Sequence, residues 1–293
     1  MSDLKKIAIV TDSNSGIGKD APEGVFVVPM PCLINDADYF ENVNLTQEEF
    51  YKFLSEDANV STSQPSLGDL GEFWTNILKD YDEIVYLPMS SGLSGSCASA
   101  KMLASEDEFS GRVYVVDNHR VSISLKESVY DAIKLRAQGK TAAEIQNYLL
   151  ETSADSSIYI AVDTMKYLKK GGRVTPAAAM IGSILKIKPV LQIHGEKLDK
   201  YMLARGSIKA REILKEALKK DLETKFAEYV ANGEMCVSVA YTDNPAEAEK
   251  FMAEFKAMMP DIPFHFSDPL PLSVSCHIGP GALGVACARF VKE

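Results

Sequence analysis

At 293 residues, with 46% hydrophobic and 25% charged, the chain has the make-up of a globular protein able to bury two joined cores. Its formal net charge of −10 argues against nucleic acid as a partner, because such binding leans on a basic surface. No run reaches the roughly eighteen apolar residues of a membrane span. Five cysteines (Cys32, Cys97, Cys236, Cys276, Cys287) form no C-x-x-C pair, which points to reduced thiols and away from structural zinc.

The chain passes from Met1-Ser-Asp-Leu-Lys-Lys6 straight into the strand pattern Ile7–Val10 without an apolar h-region, so the cytoplasm is the expected location. Thr46-x-x-Glu49 has the spacing of a capping box, as does Thr141-x-x-Glu144 further on. The cluster Ser61-Thr-Ser-Gln-Pro-Ser66 precedes a helical pattern over Leu67–Leu78. Ser66 reads as the cap of that helix, which leaves Thr62 and Ser63 free to hold a ligand.

The short, β-rich run Glu83–Met89 reads as a buried strand. It leads directly into Ser90-Ser-Gly-Leu-Ser-Gly-Ser96 and a helix-compatible stretch over Ser94–Ala104. A strand, loop and helix in this order gather hydroxyls and backbone N–H groups at a helix N-terminus, where anions are favoured.

Further along, Lys166, Lys169 and Lys170 precede Gly171-Gly172, the pattern of a helix C-terminus with glycine past its end. Arg173 follows that turn and is free to pair with a carboxylate or phosphate. Arg205, Lys209 and Arg211 form a second basic group, assigned to partner contacts, around the start of a helix over Ile208–Phe226. Several strand candidates end in aspartate, at Asp12, Asp117, Asp163, Asp243 and Asp268. Grouped carboxylates suit a metal or a nucleophile, but capping of the following turns is the preferred reading. Asp243-Asn-Pro245 illustrates it, ahead of the amphipathic run Ala246–Met258.

Short apolar runs alternating with helical patterns define an α/β protein. The composition changes near residue 155. Residues 1–157 are expected to form an N-terminal domain with a doubly wound parallel sheet. Residues 158–293 are expected to form a C-terminal α/β domain with a mixed sheet, and a ligand tunnel is expected between the two.

Three motifs fail their tests. Gly279-Pro-Gly-Ala-Leu-Gly284 matches G-x-G-x-x-G after a strand-like run, Leu272–Ile278, but no strand or acidic residue follows at the distance a dinucleotide fold requires. No Walker sequence is present. Gly92-Leu-Ser-Gly95 misses the nucleophile elbow G-x-S-x-G because position 96 is serine. An esterase-like hydrolase with Ser94 as nucleophile is therefore the alternative reading, with His277 the best placed base ahead of His119, His194 and His265.

The segments Thr62-Ser-Gln-Pro-Ser66, Ser90-Ser-Gly-Leu-Ser-Gly95, Asp163-Thr-Met-Lys-Tyr-Leu-Lys-Lys-Gly-Gly-Arg173 and His277-Ile-Gly-Pro-Gly-Ala-Leu-Gly284, in this order, resemble the DegV family. Val10-Thr-Asp-Ser13 and Tyr241-Thr-Asp-Asn-Pro245 fit as well, and the likeness runs over essentially the whole chain. Members of that family resemble the acyl-binding subunits of bacterial fatty acid kinase. The resemblance implies a long-chain fatty acid buried between two α/β domains, with no cofactor, no metal and no catalysis by the chain itself. The carboxylate would meet Thr62 and Ser94, with Ser63, Gly95 and His277 beside it, while Arg173 and Arg205 would serve the kinase partner and phosphoryl transfer. The role so implied is delivery of acyl groups toward phospholipid synthesis, with transient membrane contact. Ala177–Ile187 supplies candidate tunnel liners.

Overall fold

The computed structural model describes residues 5–182, 186–193 and 196–292. The first lobe is built on four parallel strands, β1 (Ile7–Asp12), β2 (Val25–Val28), β6 (Glu83–Leu87) and β7 (Val113–Val115), in the order β2-β1-β6-β7. Alternation along β1 buries both faces. Ala8 and Val10 pack with Leu70 and Trp74 of α2 (Leu67–Ile77) and Ala100 and Leu103 of α3 (Ser96–Ala104). Ile7 and Ile9 pack with Val129 of α4 (Ile123–Ala137) and Ile145 of α5 (Ala142–Glu151). Helices on both faces of a parallel sheet make this lobe doubly wound, as expected.

A small antiparallel sheet, absent from the sequence reading, is inserted after β2. Its strands β3 (Pro31–Ile34), β4 (Ala37–Phe40) and β5 (Val60–Thr62) run in the order β4-β3-β5, and α1 (Gln47–Ser55) lies between β4 and β5 in the chain. Both capping boxes form: the side chains of Thr46 and Thr141 accept from the backbone of Glu49 and Glu144, whose carboxylates return the bond.

The second lobe is a mixed sheet of six strands: β8 (Ser156–Ala161), β9 (Ile187–Ile193), β10 (Leu198–Arg205), β11 (Met235–Tyr241), β12 (Phe264–Pro269) and β13 (Leu283–Arg289). Their order is β10-β9-β8-β13-β11-β12, and only the β11–β12 pairing is parallel. Between these strands run α6 (Lys166–Gly171), α7 (Pro176–Ala179), α8 (Gly206–Glu223), α9 (Ala227–Ala231), α10 (Ala246–Met258) and α11 (Leu272–Ile278). One face of the sheet, carrying Tyr159, Val237 and Val285, packs on Leu214, Phe251 and Phe255 of α8 and α10. The other face turns Ile160, Leu191 and Ala286 toward the first lobe, where Leu93, Val121 and Ile123 join the same core. This shared core holds the lobes together.

Four readings need correction. Leu272–Ile278 is a helix, α11, not a strand. Its first amide, on Leu272, donates to the Glu41 carboxylate at 2.9 Å, and its buried side chains Leu272 and Cys276 share a core with Cys32 and Phe50. A carboxylate arriving from 231 positions away caps this helix, so local residue preference does not decide it. The expected helix over Ile208–Phe226 stops at Glu223 and resumes as α9, with Thr224 leaving helical geometry at φ −120°, ψ −71°. Arg211 is buried and paired with Glu247 and Glu254 of α10, so it is internal scaffolding and not a partner contact. At the Asp243 turn it is the Asn244 side chain that accepts from the Ala246 N–H, at 2.9 Å.

Candidate functional site

In the first sheet the chain winds one way from β1 to β2 and the other way from β6 to β7, so the topological switch lies between β1 and β6. In open parallel sheets ligands bind outside the carboxyl ends of strands at such a point. Both segments leaving these ends reach one cavity: Asn14 from the 3-10 turn after β1, and Met89, Leu93, Ser94 and Gly95 from the loop after β6. Asp12 fastens them together, accepting the Asn14 N–H at 3.0 Å and the Met89 N–H at 2.9 Å. Complete burial pushes its carboxyl up to about 6, against the opposing effect of those two amides.

The second lobe closes the cavity with Ile158, Ile160, Ile193 and Leu198 from its sheet and His277 from α11. The cavity volume is about 160 Å³, and the cavity continues into an open mouth.

Its polar groups form a connected set. The Oγ1 of Thr62, at the end of β5, lies 2.8 Å from Nε2 of His277. The ring of His277 presses on Gly171: a Cβ at that residue would come within 2.2 Å of Nδ1. Two residues on, the Arg173 guanidinium donates through Nε to the carbonyl of Leu93 at 3.2 Å and through a terminal nitrogen to the carbonyl of Gly171. Ser94 follows Leu93, and its Oγ accepts the Ser96 N–H at 3.2 Å, where α3 begins. Gly95 in turn approaches Gln64, whose Oε1 would be 3.1 Å from a Cβ at that position. Four separate segments thus converge on one end of the cavity, and the positive end of the α3 dipole adds to it.

The expected site residues Thr62, Ser63, Ser94, Gly95, Arg173 and His277 all line this cavity. Arg205 does not; it is exposed at the junction of β10 and α8. The described part of Ala177–Ile187 does not line it either. Ala178 and Ile181 belong to the core beneath, and residues 183–185 lie outside the described residues, as does His194. Ser66 caps α2 by accepting the Asp69 N–H at 3.0 Å, as read from the sequence.

Asn14 was overlooked. Its Oδ1 accepts from the Ser273 hydroxyl at 2.6 Å, and its buried Nδ2, near the Asp12 carboxylate, makes no well-formed hydrogen bond among the described residues. A donor of this kind in a cavity wall is available to a ligand. The signal lay in the run Val10-Thr-Asp-Ser13, which ends one residue short of it.

Electrostatically the site favours an uncharged imidazole. Burial is the main cause, and the neighbouring Arg173 guanidinium adds to it, bringing His277 down to about 4. The ring therefore offers one donor and one acceptor near neutral pH.

Fold and site together define a two-lobed α/β protein with a largely apolar chamber and a polar, hydroxyl-rich head. A family model described as "uncharacterised protein, DegV family" matches residues 6–289. The chain belongs to the DegV family. A DegV domain-containing protein of Deinococcus radiodurans is 33% identical over 288 residues, 96% of this chain and 97% of that protein. Among solved structures, a DegV family protein from Thermus thermophilus described for its fatty acid binding superposes with a TM-score of 0.86 at 28% identity, covering 97% of this chain and 100% of that one. DegV of Bacillus subtilis, described as a fatty acid binding protein, gives 0.83 at 27% identity, covering 97% and 99%.

Proposed function

We propose that this protein binds a long-chain fatty acid, burying the acyl chain between its two lobes and presenting the carboxylate to a separate kinase subunit for acyl-phosphate formation. The observation that carries this reading is the cavity itself, apolar through Leu93, Ile160 and Ile193 and closed at one end by the linked group Thr62, His277, Ser94 and Arg173. Each methylene transferred from water contributes about 0.8 kcal/mol, so a C16 tail contributes on the order of 10 kcal/mol, part of which is offset by immobilisation. The tail supplies the affinity and the head group need only be oriented. Neutral hydroxyls at Thr62, Ser63 and Ser94, with the amides at Gly95, suffice for that. When Nε2 of His277 donates to Thr62, the threonine hydroxyl keeps its proton for a carboxylate oxygen. Arg173, and Arg205 on the surface, are assigned to the partner and to the transferring phosphoryl group. The fatty acids named for the Thermus and Bacillus relatives support the same ligand class here.

The esterase reading asks His277 to accept a proton from Ser94. Its ring is instead engaged by Thr62, and burial and Arg173 both oppose the imidazolium that such a step creates. That opposition favours a carrier over a hydrolase.

The deciding experiment is organic extraction of purified protein followed by mass spectrometry, with titration of added fatty acid. One acyl chain per protein is the expected result. Neither co-purified lipid nor saturable binding would sink the reading.

A further inference from the structure

Away from the cavity, the seam between the lobes gathers three side chains of a different chemistry. Glu127 lies on α4 of the first lobe, Cys236 on β11 and His265 on β12 of the second. Glu127 and Cys236 are 2% and 1% exposed, whereas His265 is partly open to solvent. One carboxylate oxygen, Glu127 Oε2, meets both partners: His265 Nδ1 at 2.9 Å and the Cys236 thiol at 3.5 Å. One ligand atom from each of the three residues lies within 4.8 Å of the other two.

We propose that Glu127, Cys236 and His265 bind a divalent cation of the zinc class across the lobe interface. Thiolate, imidazole and carboxylate in a set of three are zinc donors, and they leave a fourth position for water. With metal–sulfur and metal–nitrogen bonds of about 2.3 and 2.0–2.1 Å, the edges of a tetrahedral site are about 3.3–3.6 Å, near the 2.9 and 3.5 Å that Glu127 already makes with His265 and Cys236. Charge balance points the same way. A dication with one thiolate, one carboxylate and one neutral imidazole sums to zero, so the site itself adds no net charge to the buried seam. Binding replaces the Cys236 thiol proton, which leaves to solvent by way of the partly exposed His265 side. Without metal, burial and the adjacent Glu127 carboxylate hold that thiol protonated, donating to the carboxylate.

Sequence spacing hid this site. Cys236 and His265 are far apart in the chain, and the third donor comes from the other lobe. A cation here links α4 to β11 and β12, and so ties together the two lobes that enclose the cavity.

The test uses untagged full-length protein, stripped with a chelator and titrated with Co²⁺. A thiolate-to-cobalt charge-transfer band saturating at one equivalent, and bleached by Zn²⁺, is the expected result. Cys236→Ser and His265→Gln should each abolish it, while Cys97→Ser, which removes another buried thiol, should leave it intact. Absence of the band in the unaltered protein, or its persistence in Cys236→Ser, overturns the assignment. If Cys236→Ser fails to fold by circular dichroism, His265→Gln at its partly exposed position decides: loss of the band supports the site and retention overturns it.

Discussion

Thr62 and His277 are 215 positions apart in the chain, yet Oγ1 and Nε2 meet at 2.8 Å. The contact joins β5 of the small inserted sheet to α11 of the second lobe. Any group that disturbs the histidine ring therefore also disturbs the hydroxyl assigned to the ligand head.

The first prediction concerns pH. An unfolded histidine titrates near 6.5, whereas His277 in the folded protein titrates at about 4. Between those values the unfolded state binds more protons at this residue, so His277 costs stability as pH drops from about 6.5 to 4 and nothing above that window, while Asp12 and Asp131, raised by burial to about 6 and about 7, act with the opposite sign. A shift of this size corresponds to about 3–4 kcal/mol. His277→Gln should flatten that part of the stability profile in denaturant titrations, and a midpoint near 6.5 for the imidazole by NMR would contradict the buried, neutral ring.

A second prediction separates binding from folding at Gly171. This residue ends α6, where alanine is favoured over glycine by up to about 1 kcal/mol. A methyl group there would sit 2.2 Å from His277 Nδ1 and 3.0 Å from its Cε1, so the ring must move away. Gly171→Ala is expected to keep the circular dichroism spectrum while fatty acid affinity drops about tenfold, or about 1.4 kcal/mol. Unchanged affinity in a binding titration would remove His277 from the ligand site.

Arg173 carries the third. Its substitution by alanine removes a donor to Leu93, the cation beside His277 and one polar part of the cavity wall, but leaves the apolar side chains Leu93, Ile160 and Ile193 in place. Arg173→Ala should retain fatty acid by mass spectrometry and lose at least about tenfold in partner-dependent acyl-phosphate formation. The imidazole midpoint should rise only part of the way, because burial is the larger cause of its depression. Full phosphorylation by the partner would exclude Arg173 from that role.

Most caps and stops set within one helical turn are legible in the sequence, the Asp243 turn excepted, where Asn244 takes the capping role. The capping boxes at Thr46 and Thr141, the Ser66 cap and the glycine stop after Lys170 depend on residues within one helical turn, and each forms as its spacing requires. Alternating strand and helix patterns likewise sufficed for two α/β layers, since burial on both faces of a sheet is written into period-2 alternation. The polar residues that gather at the cavity were legible as separate clusters, because hydroxyls and glycines at strand ends stand out from ordinary loops.

Tertiary structure decided the rest. Helix α11 exists because Glu41 caps it and the inserted sheet buries Leu272 and Cys276, a pairing that no local window contains. Arg211 was drawn inside by Glu247 and Glu254 of another helix. The chamber walls came from β8, β9 and the start of β10 rather than from the alanine-rich segment. Composition tells which side chains are apolar, but only the packing of one lobe on the other decides which of them face empty space.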